Sequence, residues 1–388
     1  MKDYDVAVIG AGPVGCTFAR YAAEKGLKVA IFEKKTEVGV PLQCAGLLGN
    51  KIKDVNIVPD EVILNEIYGA CLYSPSNTMI SMKKKEKPLA YVLDRVAYDK
   101  FLAQIAVDKG VELFLNHRVN DVDLKTGEIY LKDKKITAEI IVGTDGPSSL
   151  LSKKFNSESK ATPAAQLLID TGKDTFDDDY FQVNVNAEIS PGFLWTIPLS
   201  KSTARMGLFA DYDYKTLSEI LNKYLESDER LKDAKILKKY YGMIPLYESK
   251  KDIVKDRAIL IGDSASQVKP TTGGGLIIGF KCAKIAAEIV YNAISSKNIK
   301  ILKDYQKQYK KMYKNELKMQ LKVQKTYKSL SNEDLDSVIL KLKEKEIGRI
   351  VSEYGDLDSQ SPLMKEIIKS GLLFSVLPKL LSRNIFGL

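Results

Sequence analysis

The chain is 388 residues long, 45% hydrophobic and 28% charged, with a net charge of +9, enough for two or three packed units of ordinary soluble composition. Its four cysteines (Cys16, Cys44, Cys71 and Cys282) form no CxxC pair and it has one histidine, His117, which excludes an iron–sulfur centre, a histidine-based metal cluster and a histidine triad. No apolar run reaches the roughly 20 residues of a membrane-spanning helix and no secretory leader is readable, so the expected compartment is a reducing cytoplasm.

Asp5-Val6-Ala7-Val8-Ile9 reads as a buried parallel strand. The turn Gly10-Ala11-Gly12-Pro13-Val14-Gly15 follows, then a helix over 14–25 and a second strand over 27–33. This is a βαβ unit with the GxGxxG fingerprint in its required context. Gly10 permits the tight turn, Gly12 lets the backbone approach a pyrophosphate, and Gly15 lets the helix pack on the strand. Glu33, eighteen residues beyond Gly15, ends the second strand, where a carboxylate accepts ribose hydroxyls and repels a 2′-phosphate. Helical patterning returns over 95–109, followed by short strands near 111–115, 128–131 and 140–143. From 166 to 247 the pattern turns to period-two alternation, which predicts an antiparallel sheet with one face covered and the other open to a ligand.

Residues 257–262 read as another buried strand, followed by a glycine cluster and a helix through 293. The last 90 or so residues are mostly helical. Between Lys297 and Lys328 eleven lysines face two acids, a surplus equal to that of the whole chain. Such a stretch is either a solvated helix face or a contact for an anionic surface such as phospholipid headgroups; no nucleic-acid motif accompanies it. Tyr305, Tyr309, Met312 and Met319 form a helical stripe that reads as core. The apolar segment Gly371–Leu388, broken by Pro378, reads as a core or lid helix or as a shallow membrane anchor. The fold class is therefore mixed α/β. A Rossmann-type domain (1–50, 89–165 and 251–296) is interleaved with an antiparallel-sheet substrate domain (51–88 and 166–250), and a helical region (297–388) follows.

The block RAILIGDSASQVKPTTGGG at 257–275 decides the nucleotide. A buried strand ending in Gly262-Asp263, then Pro270, then three glycines before a helix is a second dinucleotide-contacting device. Asp263 can bond ribityl hydroxyls, and the helix N-terminus after Gly275 can face the N1–C2=O edge of a flavin. This block resembles the FAD-binding proteins of the para-hydroxybenzoate hydroxylase type. Leu93 to Leu102 is similar to their DRxxxDxxL helix start, where the arginine (Arg95 here) approaches the cofactor phosphates, and IIVGTDGPSS is similar to their DG motif, with Asp145 and Gly146. The resemblance implies non-covalent FAD held by Gly10, Gly12, Pro13, Gly15, Glu33, Lys34, Cys44, Ala45, Gly46, Arg95, Val119, Asp145, Asp263, Pro270, Gly274, Gly275 and Leu276.

Two stretches resemble the geranylgeranyl reductases, especially those of archaeal phospholipids. Val38-Gly39-Val40-Pro41-Leu42-Gln43-Cys44-Ala45-Gly46 is similar to that family's cysteine-bearing loop, and Pro191-Gly192-Phe193-Leu194-Trp195-Thr196-Ile197-Pro198 to its PxxYxWxFP cavity motif. Leu194 is read as standing where tyrosine is usual and Ile197 where phenylalanine is usual. The resemblance implies an FAD-dependent reductase that saturates the geranylgeranyl chains of digeranylgeranylglyceryl phosphate and its derivatives. An aromatic hydroxylase or related monooxygenase on the same fold is the alternative, and a non-enzymatic FAD-stabilised assembly factor a third reading. Cys44 reads either as a small residue in a flavin-lining loop or as a thiol that positions substrate or delivers a proton. Trp195 either fills a sheet core or lines the cavity. Proton donors open at this point are Cys44, Tyr241 and ordered water. A single GxGxxG marks no second nucleotide domain, so the electron donor is NAD(P)H bound transiently, a ferredoxin or a deazaflavin. The implied partners are a polyprenyl ether phospholipid, an anionic membrane surface and an electron-donor protein, with no nucleic acid. The implied location is cytoplasmic, peripheral at the inner face of the cell membrane.

Overall fold

The computed structural model describes residues 2–83 and 86–369; the apolar segment Gly371–Leu388 lies outside them. Tyr4–Ile9, with its last four residues buried, is the centre of a parallel sheet. It pairs with Val29–Phe32 on one side and Lys135–Gly143 on the other, and Glu112–Phe114 and Ala258–Leu260 extend the sheet as further parallel strands. Continuous apolar runs form these strands because the sheet is covered: Pro13–Glu24 packs on it, and Val122 and Ile129 of the antiparallel strands Asp121–Asp123 and Glu128–Tyr130 join the same core. Helix Pro13–Glu24 starts with proline at its first turn, where a missing N–H costs nothing, and packs on Leu276–Ser295 and Arg95–Val107. Asp94 caps the last of these by accepting from the Val96 and Ala97 N–H groups.

The second sheet has seven strands in the order Lys235–Pro245, Ala161–Asp170, Thr203–Phe209, Leu194–Pro198, Tyr180–Asn184, Gly69–Tyr73 and Met79–Lys83. All neighbours are antiparallel except Tyr180–Asn184 with Gly69–Tyr73. Within the stretch that alternation marks as sheet lies a helix, Tyr214–Ser227, which the period-two reading misses. Its signal is present: Asp213 caps it through the Thr216 N–H, and Leu217, Leu221 and Leu225 recur every fourth residue and are buried. This helix covers one face of the sheet, packing beside Leu194, Met206 and Leu208. The opposite face carries Phe181, Trp195 and Ile197 and turns toward the parallel-sheet domain.

Helix Lys303–Lys328 buries Tyr305, Leu317 and Gln320 and leaves Lys303, Lys307, Lys311, Lys314, Lys318, Lys322, Lys325 and Lys328 exposed along its outer side. Met312, read as core from its spacing, is 45% exposed, because the stripe drifts around the helix and only its N-terminal part meets the core. Three shorter helices follow: Asn332–Glu344, Ile347–Tyr354 and Ser361–Lys369.

Candidate functional site

A cavity of about 830 Å3 runs between the two sheets. Its polar end is built on the first βα turn. Gly10, at φ +103°, has no room for a Cβ, which would lie 2.7 Å from the Thr144 carbonyl oxygen, and a Cβ on Gly15 would clash with the Gly10 carbonyl. These two glycines shape the turn from behind. Gly12 faces open space, and as the N-cap of Pro13–Glu24 it offers no side-chain cap, so the helix's first N–H groups point into the cavity. Glu33 is buried; its carboxylate accepts from the Ala11 N–H at 2.8 Å and the Lys35 N–H at 2.9 Å, which locks it beside this turn.

The other glycine cluster lies across the cavity. Gly275 caps helix Leu276–Ser295 without a side-chain bond, so a second helix N-terminus opens onto the same space. Asp263 is enclosed except where it faces the cavity. Burial pushes its carboxyl up to about 6, against the opposing pull of Arg95. Its carboxylate accepts no hydrogen bond from the described residues, whereas a ligand hydroxyl in the cavity would supply one. Arg95 is itself buried and makes a bidentate bond to Asp99, 2.9 and 3.1 Å from Nη2. Burial also pushes the Asp99 carboxyl up, and Arg95 works against that. Asp145 sits behind the wall. One carboxylate oxygen accepts from the Leu150 N–H at 2.6 Å, the other is buried with no hydrogen-bond partner among the described residues, and desolvation raises the pKa of the group. Two uncapped helix N-termini, an unsatisfied carboxylate and an acid at the ribose position fit FAD.

The apolar end is formed by the second sheet. Phe193, Trp195 and Ile197 line it from one strand, with Phe181 and Val183 from the next. Strand alternation corrects the motif reading. Two positions before Trp195 stands Phe193, which faces the cavity 6.2 Å from the Trp195 ring, while Leu194 points into the core under helix Tyr214–Ser227. The residue at the tyrosine position is thus Phe193, an aromatic without the hydroxyl. Trp195 is held by donating Nε1–H to Gln166 Oε1 at 3.1 Å, both side chains buried.

Cys44 lies where the two ends meet. Its Sγ accepts from the Gly46 N–H at 3.4 Å and lines the cavity. Gly46, at φ +82°, lets Arg205 approach; a side chain there would strike the guanidinium. Arg205 donates from Nη1 to the Ala45 and Leu93 carbonyls at 2.9 and 3.0 Å, pinning the cysteine loop to the strand behind it. Tyr241, open as a proton donor from sequence, lines the cavity at the edge of the sheet, with its ring against Tyr214 and its hydroxyl 3.2 Å from Ser218 Oγ.

The cavity therefore brings together Gly12, Pro13, Glu33, Cys44, Ala45, Gly46, Arg95, Trp195, Asp263, Gly274, Gly275 and Leu276. Gly10, Gly15, Asp145 and Pro270 stand behind its wall. Lys34 is exposed to solvent, its neighbour Lys35 lining the cavity instead, and Val119 packs on the core. Cys16 and Cys282 are core residues. Sequence reasoning missed Lys269 and Asp358, whose buried ion pair (2.8 Å) lines the cavity, and missed Val323, Gln324 and Tyr327 on the inner side of the lysine-rich helix. The core stripe read from Tyr305 and Tyr309 showed that this helix has an inward face, and the apolar Val323 and aromatic Tyr327 among the lysines are the signal that this face continues to the cavity.

Fold and site together define a flavoprotein oxidoreductase. Residues 5–363 match the family model described as lycopene cyclase protein. The digeranylgeranylglycerophospholipid reductase of Methanosarcina acetivorans is 32% identical over 370 residues, which cover 89% of this chain and 90% of that one. A geranylgeranyl bacteriochlorophyll reductase-like protein of Thermoplasma acidophilum has the same fold at a TM-score of 0.84, with 24% identity and coverage of 97% and 99%. A halogenase in complex with FAD shares the fold more distantly, at a TM-score of 0.67, 17% identity and coverage of 91% and 84%. The chain belongs to this flavoprotein family, on its geranylgeranyl reductase branch.

Proposed function

We propose that this protein is an FAD-dependent reductase that saturates the double bonds of the geranylgeranyl chains of an archaeal-type ether phospholipid, digeranylgeranylglyceryl phosphate or a derivative. The observation that carries the reading is continuity: one cavity leads from the nucleotide-binding turn, past Cys44, to a wall of Phe193, Trp195 and Ile197. A compact polar pocket for an aromatic acid would need cationic or hydroxyl groups on that wall, and its side chains are apolar.

Gly12 and Glu33 would hold the adenosine diphosphate part of FAD, Asp263 the ribityl chain, and the helix N-terminus at Gly275 the electron-rich edge of the ring system. Reduced FAD held there would supply the hydride for one carbon of the trisubstituted double bond, and a proton on the other carbon would complete the replacement of the π bond by two C–H bonds. An isolated alkene has no carbonyl to polarise, so the chain's own task is to align it, exclude water and hold that proton. Phe193, Trp195 and Ile197 provide the dry wall, and Gln166 fixes the indole. Cys44 holds the proton: its sulfur faces the cavity while the Gly46 N–H and the Arg205 clamp fix its loop. A lipid substrate places the protein at a membrane surface, and no helix among the described residues is long and apolar enough to cross one.

The test is anaerobic. The purified flavoprotein is reduced with dithionite and mixed with digeranylgeranylglyceryl phosphate, and flavin absorbance and lipid mass are followed. Flavin reoxidation with a gain of two hydrogens per double bond supports the reading. A flavin that stays reduced until oxygen enters, with unchanged lipid mass, removes it.

A further inference from the structure

Among the described residues the strand Lys235–Pro245 ends the seven-stranded sheet and pairs along one side only, with Ala161–Asp170. An uncovered edge of 11 residues is a liability in water unless charge or a partner blunts it. This one is both apolar and cationic. Ile236, Leu237, Tyr241 and Met243 are 39%, 53%, 41% and 39% exposed, and the exposed Lys235, Lys238 and Lys239 alternate with them. No acidic residue occurs between Ala234 and Tyr247, and none of the three lysines forms an ion pair with a described residue. Tyr214 extends the patch, its ring 5.1 Å from that of Tyr241 and itself exposed.

The same strand forms one lip of the cavity. Tyr240, Tyr241, Gly242 and Met243 line it, and Gly242 lies against Gln43 of the opposite lip, where Val40 and Pro41 are also exposed. We infer that this edge strand is the surface by which the protein seats on an anionic lipid bilayer, with the cavity mouth turned toward the lipid. The inference rests on the lipid-substrate reading above. Aromatic and aliphatic side chains enter the headgroup boundary while lysines reach the anionic layer, so charge and apolar contact act at one place. A polyprenyl chain can then pass from bilayer to cavity without crossing water. Lysines on an edge strand oppose pairing with a second copy, which favours the lipid as occupant. The lysine-rich helix lacks this mixture: its outer row of lysines carries one strongly exposed apolar residue, Met312.

The experiment compares the FAD-bound protein with three variants in co-sedimentation with vesicles of phosphatidylglycerol and phosphatidylcholine at low salt. Ile236→Ser/Leu237→Ser, and separately Lys235→Gln/Lys238→Gln/Lys239→Gln, are expected to weaken partitioning by roughly ten-fold or more, at about five-fold per lysine. Both should reduce detergent-dispersed substrate at the parental rate, since none of these residues lines the cavity. Lys307→Gln/Lys311→Gln/Lys314→Gln on the helix should leave partitioning within about two-fold. Three results overturn the inference: loss of binding with the helix variant alone, no binding by the parent protein, or edge-strand variants that alter only the oligomeric state in sedimentation, which would make the edge a contact between copies. If no variant and no parent reduces detergent-dispersed substrate, the functional reading fails instead, whatever the vesicles show.

Discussion

Asp263 is a carboxylate placed where the described chain gives it no hydrogen bond, and its acidity records this. Burial raises its pKa from 3.8 to about 6, while Arg95 pulls the other way. In the folded, flavin-free protein it keeps a proton that the unfolded chain has already released, so between about pH 4 and 6 the native state binds more protons. Stability must then fall as pH rises through that window. Asp263→Asn removes the effect. The flavin-free variant should exceed the parent by on the order of 2 kcal/mol above pH 6 in urea unfolding, with screening through the open side allowed for, and should match it below pH 4. A gap that does not change with pH would mean that burial is not the cause. Asp263 was legible because it follows a strand and precedes three glycines, all within a short segment. Arg205 was not: its partners are the carbonyls of Ala45 and Leu93, more than a hundred residues away, and nothing around it marks a clamp.

At the scale of elements, the sheet wall depends on a neighbour that sequence alone does not explain. A Cβ on Gly207 would lie 2.5 Å from Trp195 Cζ2 and 2.7 Å from the Ala165 carbonyl, so this glycine is the space into which the indole fits. Gly207→Ala should push the indole off Gln166 and cost about 1–3 kcal/mol by overpacking. Trp195 is the only tryptophan, so its emission reports directly: a red shift with a melting point lower by a few degrees is expected. Unchanged emission would show the indole is not confined there. The strands were readable because each alternates or runs apolar in phase with its sheet. Helix Tyr214–Ser227 was not, because short strands on both sides of it set a period-two expectation that its leucines, four apart, also satisfy. The tyrosine position of the cavity motif was misplaced by one residue: counting from Trp195 the motif's own spacing gives Phe193, and the alternation of the folded strand, which turns Leu194 into the core, agrees.

For the whole molecule, the order of the motifs shows that one nucleotide domain is assembled from separated segments, but not what closes the cavity. The closure is a tie between the cofactor-side turn and the C-terminal helices. Lys269 Nζ donates to the Leu357 carbonyl at 2.7 Å and to Asp358 Oδ1 at 2.8 Å, and Gln360 Nε2 reaches Thr271 Oγ1 at 2.8 Å. Glu316 receives the Gln360 N–H at 2.7 Å, which fixes the same loop from the lysine-rich helix. The ion pair is nearly buried, and the second Asp358 oxygen has no partner among the described residues. Removing one member should therefore leave a buried charge and cost on the order of 3–5 kcal/mol, whereas an apolar pair of similar size should cost little. Asp358→Leu alone should speed amide exchange in both 269–275 and 355–361 and accelerate FAD release. Lys269→Met/Asp358→Leu should recover most of the lost stability, because neither buried charge remains. If the double variant is as unstable as the sum of the single ones, the two residues do not act as a pair. The tie would then rest on Glu316 and Gln360, and exchange in 269–275 would respond to Gln360→Ala instead.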